Sequence, residues 1–484
     1  MLGTKETKGH HMRALFFTFF LCLPAGLIAD SLRSNLLLII VDDLGYGDLA
    51  SYGHPVIQSP HLDQLAAEGI RFTQYYAASA LCSPSRAAIL TGRHPYRTGI
   101  QSWIPANTGI YLRDEEITLA ELLKAKGYAT ALIGKWHLNS ELDSPKEPQP
   151  NDQGFDYFYG HNAFQTPTNK NPDNLFRNRT KLPTQTGYTA DLYAKESIHW
   201  LNTKAPDTPF FLMLSMAEPH TPIENPPSVN ARYAEHTQGD IVPIPSGLAS
   251  PPKALLKARG PGEYYANITY MDEAIGSVLR YLDEAQLRSE TLIVFMSDNG
   301  PVTDDWIHWY EVNAYGSTGG LRGRKHFLFE GGIRVPAIIS QPGRLPEGVV
   351  STTVFTGTDW LATLGGLIGF ELPHDRAIDS RDVSAHWLAH DRQESHPIHW
   401  ALPTPNRLDY VIREGQMKLS LDHAHQPVAL YDLGSDPLEM FNLVESLPRM
   451  TESLTAKHRA FIQDVENDPL RPRSPQDAVG RQAD

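Results

Sequence analysis

The chain has almost no cysteine. Its 484 residues hold only Cys22 and Cys82. Cys22 lies in an apolar stretch near the N-terminus that reads as an export signal, so the mature protein keeps a single thiol and closes no internal disulfide. Positive charge is also in short supply. Forty-two Lys and Arg against 56 Asp and Glu leave a net charge of −14, which argues against nucleic acid or an anionic membrane as partner. Long hydrophobic runs are missing. The longest, Ala14 to Ala29, is too short for a membrane span and contains Pro24. Preceded by Met12-Arg13 and closing on Leu27-Ile28-Ala29, it reads as a secretory signal (1–29) cleaved after Ala29, with Met12 a better start than Met1. No stable membrane insertion is expected, and no internal repeat is visible. The expected destination is the periplasm or the exterior of a bacterium, or a lysosome or the secretory route in a eukaryote.

What is present is an ordinary globular composition, 41% apolar and 20% charged, long enough for a large core. Asn35 to Val41 is a continuous apolar run, the mark of a strand buried on both faces. Ser59-Pro60 reads as the start of a helix ending before Gly69. Thr118 and Glu121 form a capping box for the next helix. Tyr128 to Ile133, Phe210 to Ser215 and Thr291 to Ser297 read as strands, with helices over 191–203 and 264–285 between them. Segments 141–190 and 223–262 are rich in Pro, Asn and Gly and read as long surface loops. Alternating strands and helices predict an α/β fold: a large, mostly parallel sheet covered by helices on both faces. This large domain spans 30–370. A smaller C-terminal α+β domain follows over 371–466, with short strands near 411–413, 417–421 and 429–431 and a helix near 450–466. The tail 467–484 is expected to be disordered.

Polar clusters fall just past the predicted strand ends: Asp42-Asp43, Lys135 with His137, His220, and Asp298-Asn299. Each alone fits a turn or a cap. Four in succession point to one site, because ligands of open α/β sheets bind at the carboxyl edge of the strands. Asp42, Asp43, Asp298 and Asn299 offer hard oxygen ligands suited to Ca²⁺ or Mg²⁺. Cys82-Ser83-Pro84-Ser85-Arg86 opens an apolar helical run ended by Gly92. Pro84 suits a first turn, Cys82 stands near the helix N-terminus, and Arg86 faces back toward the same spot from one turn on.

The run Cys82-Ser83-Pro84-Ser85-Arg86 resembles the maturation motif of the type I sulfatases, in which the cysteine becomes Cα-formylglycine. Further likenesses follow in the family's order. They are Val41-Asp42-Asp43-Leu44-Gly45-Tyr46-Gly47-Asp48, Gly134-Lys135-Trp136-His137, Leu321-Arg322-Gly323 through Glu330-Gly331-Gly332, and Tyr431-Asp432-Leu433 with Asp436-Pro437. Arg324 and His326-Phe327 are bulkier than the small residues common around the family's lysine. The nearest groups are the arylsulfatases and the glycosaminoglycan or polysaccharide sulfatases.

This resemblance implies an alkaline phosphatase-like fold and hydrolysis of sulfate esters. It implies Asp42, Asp43, Cys82, Asp298 and Asn299 around Ca²⁺, with Mg²⁺ an alternative. One hydroxyl of the hydrated formylglycine attacks sulfur and expels the alcohol; the other collapses to the aldehyde and releases sulfate. His137 is the expected base for that collapse and His220 the acid for the leaving alcohol. Arg86, Lys135 and Lys325 would hold the diol and the sulfate oxygens. The expected partners are a sulfated carbohydrate or a small sulfate ester, and a formylglycine-generating maturation enzyme. Two rivals stay open: a phosphate or phosphonate ester hydrolase of the same superfamily, and an unmatured protein that binds sulfated glycans without cleaving them. Finally, Trp306, His308 and Trp309 sit in an aromatic run soon after Asp298 and Asn299, placed either to stack on a sugar or to pack inward as core.

Overall fold

The computed structural model describes residues 3, 34–163, 168–236, 261–302, 313–387, 396–402 and 409–472. The expected signal segment (residue 3 apart), the end of the tail from 473, and the run carrying Trp306, His308 and Trp309 lie outside the described residues.

The strands are β1 (Asn35–Val41), β2 (Ile70–Phe72), β3 (Tyr75–Tyr76), β4 (Ala129–Lys135), β5 (Tyr157–His161), β6 (Phe176–Arg177), β7 (Thr180–Lys181) and β8 (Phe210–Ser215). They continue with β9 (Thr291–Ser297), β10 (Ala337–Ser340), β11 (Val349–Ser351), β12 (Phe355–Thr356), β13 (Ile398–Ala401), β14 (Tyr410–Glu414), β15 (Met417–Leu421) and β16 (Pro427–Asp432). Ten of them form one sheet in the order β11-β2-β10-β9-β1-β8-β4-β5-β6-β7. Its middle, β9-β1-β8-β4-β5, is wholly parallel.

All seven residues of β1 are buried, as its unbroken apolar run predicts. Leu37, Ile39 and Val41 pack on one face against Leu62 and Leu65 of the helix Pro60–Ala67, Tyr193 of Thr189–Thr203 and Ile268 of Pro261–Glu284. Leu36, Leu38 and Ile40 pack on the other against Ala87 and Ile89 of the helix Cys82–Thr91 and Leu361 of Trp360–Ile368. The alternation along one strand thus feeds two separate cores, and burial on this scale is what fixes the strand at the centre.

Four antiparallel strands, β13-β14-β15-β16, make a separate sheet. The helix Pro448–Glu466 lies on it through Leu454 and Ile462, against Ile412, Leu419 and Leu430. A buried ion cluster ties this sheet to the larger one. Lys418 on β15 lies 2.9 Å from Glu330 and 2.9 Å from Glu439, and all three side chains are fully buried. Glu439 also accepts the Glu330 backbone N–H at 2.7 Å.

Local expectations fare unevenly. Both hydrogen bonds of the Thr118–Glu121 capping box form. Ser59 precedes a helix starting at Pro60, but its hydroxyl does not cap it; it bonds Asp63 and the Ala50 N–H instead. The stretch 141–190 is more than a surface loop. It contributes β5 to the main sheet, because Phe158 and Tyr159 are buried there as firmly as the core strands.

Candidate active site

Four parallel strands end at one place, and each delivers part of the site. Beyond β1 come Asp42 and Asp43, the latter at φ 68°, a left-handed conformation that a non-glycine residue adopts only under constraint. Its backbone N–H donates to Asp298 Oδ1 at 3.2 Å, so the β1 and β9 turns fix each other. β4 ends in Lys135, whose Nζ lies 2.5 Å from Asp42 Oδ2. His137 follows at φ 56°. β8 ends in Ser215, with His220 a few residues on, and β9 leads into Asp298 and Asn299.

These strand ends approach closely because β4 and β5 carry glycine where they must. A Cβ on Gly134 would overlap the Ser215 carbonyl oxygen, and one on Gly160 would overlap that of Gly134. Any larger residue at either position would push Lys135 away from Asp42.

Cys82 is the first residue of its helix, with extended Leu81 before it. It is 3% exposed and reduced. Burial pushes the thiol up, against the pull of Lys135 and Lys325, so as cysteine it is a poor nucleophile at neutral pH. One turn on, Arg86 is wholly buried. Its Nε donates to Asp298 Oδ2 at 2.9 Å, Nη2 makes an ion pair with the same oxygen at 2.7 Å, and Nη1 donates to Ser215 Oγ at 2.6 Å and to the Lys135 carbonyl at 3.3 Å. Ser215 in turn donates to the Lys135 carbonyl at 2.7 Å. Ser215 therefore locks the helix to two strand ends, a role the sequence left unread.

Lys325 closes the site from the far side, its Nζ 2.6 and 2.7 Å from the two oxygens of Asp43. The bulk of Arg324 does not displace it, because the Arg324 guanidinium turns away to the Val302 carbonyl at 3.2 Å. His220 places Nε2 3.6 Å from Asp43 Oδ2, while its Nδ1 pairs with the Thr221 carbonyl at 2.8 Å. His137 binds the Ile104 carbonyl through Nε2 at 3.1 Å, and its buried Nδ1 has no partner. Burial, reinforced by Lys135 and Arg86, holds His137 well below the usual histidine range, so it is a neutral proton acceptor. Burial pulls His220 down as well, opposed by Asp42 and Asp43.

The donor set fits a hard divalent cation. Ligand atoms of Asp42, Cys82 and Asp298 lie within 4.8 Å of one another. Asp42 Oδ1 and Asn299 Oδ1 are buried with no hydrogen-bond partner, while the Asn299 amide N–H donates to Asp43 Oδ1 at 2.7 Å and so turns its oxygen the other way. Carboxylates this close repel. Burial pushes Asp298 up, Arg86 pulls it back and Asp42 adds repulsion, leaving it raised. Burial also works against the Asp42 anion, yet Lys135, His220 and Arg86 together hold it well below the ordinary range. A cation of charge two would relieve the remaining conflict.

One further group was invisible beforehand. His161 ends β5, in register beside Lys135, and is fully buried. Its Nδ1 lies 2.6 Å from the Tyr193 hydroxyl. It lay in the stretch read as loop, so nothing marked it as the end of a sheet strand.

The likeness to known proteins is extensive. A family profile described as Sulfatase matches residues 34–370. Arylsulfatase A of Bos taurus is 34% identical over 487 residues, 92% of this chain and 90% of that protein. The N-acetylgalactosamine-6-O-sulfatase of Bacteroides thetaiotaomicron is 27% identical, over 88% of this chain and 92% of that one. The solved structure of Ps i-CgsB in complex with k-i-k-neocarrahexaose superposes with a TM-score of 0.74 at 25% identity, covering 89% of this chain and 92% of that one. The fold is alkaline phosphatase-like, and the chain belongs to the sulfatase family, hydrolases of sulfuric esters.

Proposed function

We propose that the protein is a formylglycine-dependent, Ca²⁺-binding sulfatase that removes sulfate from a sulfated carbohydrate. One observation carries the reading: five cationic or imidazole side chains and four oxygen donors, brought together from strand ends, the helix Cys82–Thr91 and the loop of Lys325, gather around the single cysteine of that helix. Asp42, Asp43, Asp298 and Asn299, with position 82, would hold the cation. Bound there, it supplies a Lewis acid that polarises the nucleophile and neutralises charge on the sulfate. Position 82, once converted to formylglycine, supplies a hydrated aldehyde as nucleophile in place of the weakly ionised thiol.

The remaining work belongs to ordinary side chains. Lys135 and Lys325 flank the carboxylate pair and are placed to meet the equatorial sulfate oxygens by charge-assisted hydrogen bonds. Arg86 opposes protonation of Asp298 and orients its carboxylate. His137 Nδ1, neutral and unpartnered, accepts the proton released at position 82. His220, once protonated beside Asp43, delivers the Nε2 proton to the departing alcohol, while its Nδ1–H stays on the Thr221 carbonyl.

A carbohydrate is favoured because the family relatives include an N-acetylgalactosamine-6-O-sulfatase and the structural neighbour above is in complex with k-i-k-neocarrahexaose. The apolar run 14–29 supports export, and maturation would require a formylglycine-generating enzyme in the same cell. Among the described residues no helix is long and apolar enough to cross a membrane.

The test is the mass of the peptide containing position 82, together with turnover of an aryl sulfate beside an aryl phosphate. Conversion makes that peptide about 18 Da lighter than the thiol form. Active protein carrying only cysteine would overturn the mechanism, and faster turnover of the phosphate would overturn the substrate class.

A further inference from the structure

His161 has no part in the chemistry above, yet it sits inside the site. Gly134 and Gly160 are Cα partners across β4 and β5, and so are Lys135 and His161, which places the two side chains next to each other at the carboxyl edge. The imidazole stacks parallel to the Tyr193 ring, with 6.0 Å between centroids and 5° between planes. Tyr193 belongs to the helix Thr189–Thr203 and holds Nδ1 at 2.6 Å. That arrangement fixes the ring and leaves Nε2 as its only spare valence. Nε2 is buried and has no hydrogen-bond partner among the described residues.

A buried polar nitrogen left without a partner is costly, and a fold that pins its ring so firmly has aimed it at something. The charged groups that act on it are Lys135, Asp42, Arg86 and His220, all members of the site. Burial and the cations Lys135 and Arg86 keep the ring uncharged. A neutral imidazole adds little for a sulfate anion that already has Lys135 and Lys325 to meet it. Depending on its tautomer, Nε2 either donates or accepts one hydrogen bond. A hydroxyl does both, so it satisfies either tautomer.

We propose that His161 Nε2 binds a hydroxyl of the sugar next to the sulfate ester, on the leaving-group side shared with His220, and so selects esters of vicinal hydroxyl-bearing sugars. The proposal rests on the sulfate-ester reading of the site and deepens it. His161 is a substrate-binding residue here, and Tyr193 is the positioning residue behind it.

The probes are methyl hexopyranoside monosulfates, each paired with the analogue whose hydroxyl beside the ester is replaced by hydrogen, and para-nitrophenyl sulfate. The native enzyme should favour the hydroxyl-bearing sugar over its deoxy partner by about 10- to 100-fold in kcat/KM. His161→Phe should bring that ratio close to one, mostly through KM. His161→Gln should recover part of it, and Tyr193→Phe should lie between. A purely structural His161 predicts equal losses on both members of each pair, with a lower Tm. Such equal losses, or a native enzyme indifferent to the hydroxyl, overturn the proposal. Should His161→Phe fail to fold, the native enzyme's preference and His161→Gln still decide. The parent reading fails differently: protein carrying formylglycine at position 82 would then turn over no sulfate ester, the aryl one included.

Discussion

Lys325 and Asp43 stand 282 residues apart in sequence and form a two-pronged contact in space, with Nζ 2.6 and 2.7 Å from the two carboxylate oxygens. Asp43 is held in a left-handed turn, bonded also to Asn299, so Lys325 is presented on a rigid base. Lys325→Ala should lower kcat on an aryl sulfate by roughly 10²–10³-fold, the usual cost of one preorganised electrostatic contact. Tm should fall as well, because Lys325 is buried and its removal takes the ammonium away from the buried Asp43 carboxylate. Loss below about threefold would show that the sulfate does not use it.

Metal removal should be decisive. Chelation is expected to abolish turnover, and Ca²⁺ should restore it better than Zn²⁺, since Asp42, Asp43, Asp298 and Asn299 offer oxygens and position 82 would offer one too once converted to formylglycine. Asp298→Ala should lose bound metal, measured by elemental analysis, along with activity. A metal-free preparation with full activity contradicts the assignment.

Arg86→Lys tests the lock between helix and strands. A lysine cannot reach Asp298, Ser215 and the Lys135 carbonyl together. Activity should nearly vanish, and because a buried network is broken, Tm should also fall. Unchanged melting would mean that the network is slack.

Acid should loosen the packing of the helix Pro448–Glu466 and the His94 segment on the C-terminal sheet. His94, His399, His425 and His458 gather there, with His425 Nδ1 2.9 Å from His458 Nε2 and His399 stacked 3.9 Å from Phe461. Burial pulls His94 down to about 4, although Asp379 resists. Burial and His425 pull His458 down to about 4. Between their ordinary value of 6.5 and about 4, the unfolded chain takes up protons that the folded chain refuses. Stability is therefore full above 6.5 and falls as pH drops through this window. Melting curves across the window should show a declining Tm, and His399→Phe should flatten the decline. A parallel curve for the variant would assign the acid sensitivity to other groups.

Much of this was legible in the sequence, for identifiable reasons. β1 announced itself because burial on both faces demands an unbroken apolar run, and the polar residues after β1, β4, β8 and β9 stand where a parallel sheet keeps its sites. The Cys82 motif was readable through its resemblance to the family's maturation motif, since a lone cysteine ahead of a helix is by itself an ordinary buried residue. Other features were not legible. β5 hides among Pro- and Asn-rich neighbours and is only five residues long, so its pairing with β4 supplies the information its composition lacks. Ser215 looked like the polar end of a strand, and only the arrival of Arg86 from a distant helix gives it work. The Ser59 hydroxyl was drawn from capping by Asp63, a competitor one turn into its own helix.

The buried contact of Lys418 with Glu330 and Glu439 constrains how this enzyme can be divided. Lys325 and Glu330 lie on one short stretch, which also reaches the second sheet through Arg322, bonded to Tyr431 and to the Glu439 carbonyl. A chain cut before that sheet would leave the buried Glu330 carboxylate with only Arg334, 3.6 Å away, as counter-charge, beside the very segment that carries Lys325. The C-terminal sheet is thus no detachable appendage, and recombination between relatives should succeed only when the stretch around Lys325 and the sheet that clasps it come from the same parent.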